Sequence, residues 1–206
     1  MSLPPESGHP ARALAALHRQ ASDRIHAIAD GLDDAAFNAS PSDGSWSVGA
    51  CVEHLSRTSE GWLGEIEPAV DRAVERGGPR GAGPFEYGFA VRRARGAMGP
   101  GGPALRTPRP LDPAAEGGAA LDPAATLARF DALSGRLVAV CDRTDGLDLA
   151  RIRVGYPFRG RLGRLIRLPL GAALEFSGLH ALRHAEQAAR ARGGAAAPPY
   201  AIEPGG

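Results

Sequence analysis

The sequence predicts an all-α fold, a bundle of four helices. Apolar residues recur at alternating spacings of three and four in four long stretches, the period of one helix face. Alanine and leucine, both strong helix formers, dominate those stretches, and no stretch carries the strict alternation of a half-buried strand. A chain of 206 residues with 43% hydrophobic content can build a sizeable core. We read residues 1–206 as a single domain.

The first helix is expected over 10–32, with Leu14, His18, Ala21, Ile25, Ile28 and Leu32 on one face and Arg19, Asp23, Arg24 and Asp30 opposite. Gly31 and the Asp33–Asp34 pair mark its exit. Residues 38–47 combine Pro, Asp, Gly and serines, which is turn chemistry, and Ser47 is a natural N-cap. A second helix follows over 48–76, with Val48, Val52, Leu55, Trp62, Ile66 and Val70 as its apolar stripe and Gly77–Gly78 as its stop.

Residues 77–121 are rich in Gly, Pro and Ala. Such a stretch buries too little apolar surface to offset its ordering entropy, which predicts a long, partly disordered connection interrupted by a short helix near 85–95. Asp122 as N-cap and Pro123 at the first helical position open the third helix, over 123–145. Its buried face takes Leu127, Phe130, Leu133 or Ser134, Leu137, Val140 and Cys141. Residues 147–170 read as an extended, Arg-rich passage. The fourth helix is expected over 170–192, with Leu174, Phe176 or Ser177, His180, His184 and Ala188 inward. Gly193–Gly194 stop it, and the tail from 195 is expected to fray.

The net charge is +1, and all 24 basic residues are Arg. No strong global field draws in nucleic acid or anionic membrane. No apolar run approaches the length of a membrane span, and the N-terminal stretch lacks the apolar core of a secretory signal. Cys51 and Cys141 fall inside expected helices and make no CxxC pair or disulfide framework. A reducing, cytoplasmic setting is the expectation.

The informative pattern is His180-Ala-Leu-Arg-His184. Residues four apart lie about 40° apart around a helix and about 6 Å along it, so both imidazoles reach one point beside the helix, as in HExxH sites. The general-base Glu of that motif is absent here, with Leu182 and Arg183 in the middle positions. Two histidines make a weak site, and a third ligand must come from another helix. His54 on helix two and His18 or His26 on helix one are the candidates, and spacing alone leaves the choice open.

The stretch Trp46-Ser-Val-Gly-Ala-Cys-Val-Glu-His54-Leu resembles the start of the second helix in the DinB/YfiT-like metalloenzyme superfamily, with its W-S/T-x6-H-L pattern. The segment Leu168–Arg190 resembles that family's last helix, with H-x-x-R-H-x-x-Q. The resemblance touches most of the chain apart from 77–121. It implies an up-down-down-up four-helix bundle with a long second connection, and a divalent ion such as zinc or nickel on His54, His180 and His184. It also implies frequent homodimers, and activities that include thiol-dependent S-transfer, thiol-dependent isomerisation and hydrolysis. A small-molecule substrate and a low-molecular-weight thiol are the partners it suggests.

Three neutral imidazoles would hold a borderline cation and leave open positions. Their other ring nitrogens need acceptors, for which Glu53, Glu60, Glu175, Ser177 and Gln187 are candidates. His18 and His26 read as core or surface residues, Cys51 as a small hydrophobe, and Trp46 and Trp62 as packing residues. Arg183 reads as an ion-pair partner or a solvated group. Two other readings stand beside a metal-dependent enzyme. One is a non-catalytic metal-binding, ligand-binding or dimerisation module. The other is an RNA or phosphate binder using Arg151, Arg153, Arg159, Arg161, Arg164 and Arg167 with Tyr156 and Phe158. The near-zero net charge and the absence of a nucleic-acid motif argue against the latter, and Arg stems lying over the bundle are the simpler expectation.

Overall fold

The computed structural model describes residues 10–103, 107–113, 120–158 and 166–193. The described chain is mostly helical, with a small two-stranded sheet. Its elements are α1 (Pro10–Ala29), α2 (Asp34–Asn38), α3 (Val48–Glu75), α4 (Phe89–Met98), a 3-10 turn at Arg109–Leu111, α5 (Pro123–Arg143), β1 (Arg153–Gly155), β2 (Arg167–Pro169) and α6 (Leu170–Ala191). No described helix is long and apolar enough to cross a membrane.

The predicted caps form. The Ser47 side chain accepts the Ala50 amide at the start of α3. Asp122 accepts the Ala125 amide, with Pro123 at the first position of α5. Each satisfies an amide that the helix itself leaves unpaired. The first helix ends at Ala29 rather than at residue 32, because Gly31 turns the chain with φ of 71°, a conformation that glycine adopts without penalty. Asp33 then caps a helix that sequence reading missed: its carboxylate accepts the Ala36 amide of α2. That short helix buries Phe37 against the start of α3, so closely that a Cβ on Gly49 would lie 2.6 Å from the Phe37 ring.

The four long helices pack in a ring, α1 against α5 and α6, and α3 against the same two. Ion pairs mark their relative directions. Arg12–Asp145, Arg19–Asp142 and His26–Asp131 step in opposite directions along α1 and α5. Glu53 and Glu60 with Arg129, Glu67 with Arg136, and Asp71 with Arg143 step together along α3 and α5. Of three apolar clusters, two large ones fill most of the ring. One gathers Leu14, Trp62, Ile66, Val70, Leu137 and Leu174. The other gathers Ile25, Phe37, Val52, Leu55, Phe130 and Ala185.

Two expectations are corrected. The 147–170 passage contains an antiparallel ribbon, with Val154 opposite Leu168, where no strand was expected. Strands of three residues are too short to print an alternation. The connection over 77–121 is laid against the bundle in its described parts instead of standing off it. Pro79 accepts the Asp148 amide, Arg95 pairs with the buried Glu175, and Asn38 bonds the backbone of Leu121 in both directions. Its helix, α4, begins four residues later than expected. These polar bonds add to the packing of Phe85, Val91, Ala94 and Met98 against the core.

Candidate metal centre

Seven residues, about two turns, separate the Ser47 cap from His54 on α3. On α6, His180 and His184 lie one turn apart on the face turned toward α3. One ligand nitrogen from each of His54, His180 and His184 falls within 4.8 Å of the others. Ring centroids are 4.4–5.2 Å apart, and His54 and His180 approach Nε2 to Nε2 at 3.0 Å. His54 and His184 are buried and His180 is half-buried. Neither His18 nor His26 joins the group.

The outward nitrogens of two rings meet protein acceptors. His54 Nδ1 lies 2.7 Å from the Leu111 carbonyl, and His184 Nδ1 lies 3.0 Å from Gln187 Oε1. A carbonyl oxygen only accepts, so each Nδ1 carries the hydrogen and each Nε2 presents a lone pair. Burial disfavours the charged form of all three imidazoles. It pulls His180 down to about 3 and holds His54 and His184 below the usual histidine range. His180 Nε2 can face His54 Nε2 in two ways, as an N–H donating to it or as a second lone pair with a cation between the two. Two nitrogens each about 2.0–2.1 Å from one ion stand about 3–3.4 Å apart, so the donor set fits a divalent metal. Trp46 covers the group, its ring 4.8 Å from that of His54 and 5.6 Å from that of His184. It does more than pack at the start of the helix.

A family model, the DinB superfamily, matches residues 17–188. The chain belongs to the DinB superfamily. The match runs from α1 to near the end of α6 and takes in all three histidines. No curated protein and no solved structure matches the chain.

Of the acceptors considered for this DinB-superfamily site, Gln187 takes the role. Glu53 is held by Arg57 and Arg129, Glu60 by Arg129 and Glu175 by Arg95. The Leu111 carbonyl was missed, because a backbone acceptor leaves no mark in side-chain pattern. Arg183 makes no ion pair among the bonds described. Its guanidinium donates to the Ala97 and Pro103 carbonyls. His18 is a core residue, its Nε2 3.1 Å from the Leu174 carbonyl, and burial pulls it down to about 4. His26 pairs at the surface with Asp131. Cys51 is buried, which pushes its thiol up to about 12, as suits an inert filler. Tyr156 and Phe158 pack edge-on against Trp62 and each other, as packing residues of the bundle do. Arg151, Arg153 and Arg167 are exposed, whereas Arg159, Arg161 and Arg164 lie outside the described residues.

Proposed function

We propose that His54, His180 and His184 hold one divalent cation, zinc, nickel or a similar ion, and that the protein is a metal-dependent enzyme acting by thiol S-transfer or by hydrolysis. The reading rests on one observation: three neutral imidazoles converge while two of them have their far nitrogens engaged by protein acceptors. Such bonds fix ring orientation and tautomer. A cation bound there supplies Lewis acidity toward a thiolate, a water or a carbonyl.

The chain's own residues prepare that site. Leu111 and Gln187 keep two lone pairs aimed inward, burial keeps the rings neutral near pH 7, and Trp46 walls off one side. Glu53, next to His54, is committed to two guanidinium groups and so offers no ready general base. An ion held by the three histidines would lower the pKa of a bound thiol or water. The ion-pair registers support an up-down-down-up bundle: α1 opposes α5, α3 runs with α5, and contacts of His18 with Leu174 and of Arg192 with Ala27 run α1 alongside α6. A homodimer, a small-molecule substrate, a low-molecular-weight thiol and a cytoplasmic setting belong to the same proposal.

Turnover separates an enzyme from a module that only binds. The purified protein, stripped and reloaded with zinc or nickel, is assayed with low-molecular-weight thiols against electrophiles and with ester or amide substrates. The enzyme reading expects turnover that disappears on stripping and returns on reloading. A metal-loaded protein inert across both panels, and binding the thiol or another small ligand without converting it, would favour the non-catalytic module.

A further inference from the structure

We propose that Arg183 is a positioning residue for the three-histidine site, acting through a strap, residues 108–112, that it holds against His54. The proposal rests on the metal reading above. Arg183 lies between His180 and His184 on α6, yet its guanidinium points along the bundle surface. Nη1 donates to the Ala97 carbonyl at 3.0 Å and Nη2 to the Pro103 carbonyl at 2.8 Å. One planar fork thus ties the end of α4 to the chain beyond it. The backbone comes so close there that a Cβ on Gly102 would stand 2.8 Å from Arg183 Nη1 and 2.6 Å from the Ala97 carbonyl. Only glycine leaves room for the clamp.

Downstream of the clamp the chain forms the 3-10 turn, closed by Leu111 N–H to the Pro108 carbonyl at 2.8 Å. This turn delivers the Leu111 carbonyl to His54 Nδ1. It also delivers the Pro110 carbonyl to Arg57, one turn along α3 from Glu53. The 3-10 turn buries no residue, so the strap is held by polar bonds and is of low local stability.

Coupling follows from the tautomer. An ion on His54 Nε2 requires the hydrogen on Nδ1, the form that donates to Leu111. The other tautomer sets a lone pair against the carbonyl and releases the strap. Metal binding and strap docking therefore favour each other, by the same factor in both directions.

The test is zinc affinity by chelator competition, with hydrogen exchange at the Leu111 and Asp112 amides, on the full chain and on Arg183→Ala and Gly102→Ala. Zinc is expected to slow exchange at both amides in the wild type. Both substitutions are expected to weaken zinc on the order of tenfold and to speed that exchange. The two variants guard each other. Removing the Arg183 charge should by Coulomb repulsion alone tighten a cation, whereas Gly102→Ala keeps the charge and only crowds the clamp. Zinc bound as tightly or more tightly by both variants, or wild-type exchange at 111 and 112 indifferent to zinc, overturns the proposal while leaving the metal site standing. A wild type that binds no zinc overturns the metal reading and this one with it.

Discussion

The seam between α1 and α6 and the seam between α3 and α6 both bury histidine, and only the second brings three histidines together. His18 has one near neighbour for its ring, the Leu174 carbonyl, and no second imidazole beside it. At His54, His180 and His184 burial has the same effect on proton affinity, but there three inward nitrogens face one another. Depressed proton affinity is thus a mark of burial and not of function. What distinguishes the site is the meeting of three ring nitrogens at one point, with acceptors behind two of the rings.

The largest expected effect is the acid sensitivity that His18 brings to the first seam. His18 is pulled from 6.5 to about 4 by burial. Above pH 6.5 it is neutral folded or unfolded and costs nothing. As pH falls from 6.5 toward 4 the unfolded chain takes up a proton that the folded chain refuses, and stability is lost. A gap of that size corresponds to about 3 kcal/mol. Denaturant unfolding at pH 7 and at pH 4.5 should show wild type losing most of that relative to His18→Gln, with metal content at pH 7 equal in the two. An equal acid loss in His18→Gln would remove His18 as the cause.

A smaller effect tests the site's support. Gln187→Ala removes the acceptor behind His184 and should weaken zinc about tenfold, about 1.4 kcal/mol, with little change in the stability of the stripped protein. Unaltered zinc affinity would mean that the Gln187 contact orients nothing. Smallest of all is the surface pair: His26→Ala breaks an exposed contact with Asp131 and should cost less than about 1 kcal/mol with no change in metal. A larger loss would show that the α1–α5 register leans on that pair.

Much of this was legible in the residues. Ser47 and Asp122-Pro123 announced their helices because capping is local chemistry written in three or four positions. His180 and His184 announced each other by spacing. His54 could not be chosen over His18 by periodicity, since both sit on or beside an apolar stripe; the Trp46–His54 motif carried that choice, and helix packing brings the ring to the other two. The short α2 was misread as an exit because Asp33 serves as cap where a breaker was expected. The ribbon was too short to have a period. Least legible was the 77–121 connection, whose composition does promise weak burial but says nothing of backbone carbonyls. Leu111 reaches His54 through its main chain, and Arg183 holds a main chain in turn, so neither role has a side-chain pattern to read.

Metal content per chain tests the central claim most directly. The protein is loaded with zinc, passed through a desalting column and analysed for bound metal, alongside His54→Ala, His180→Ala, His184→Ala and, as reference, His18→Gln. The account predicts one ion per chain in wild type and in His18→Gln, and little or none in each of the other three. Full metal content surviving any one of those three alanine substitutions would contradict it.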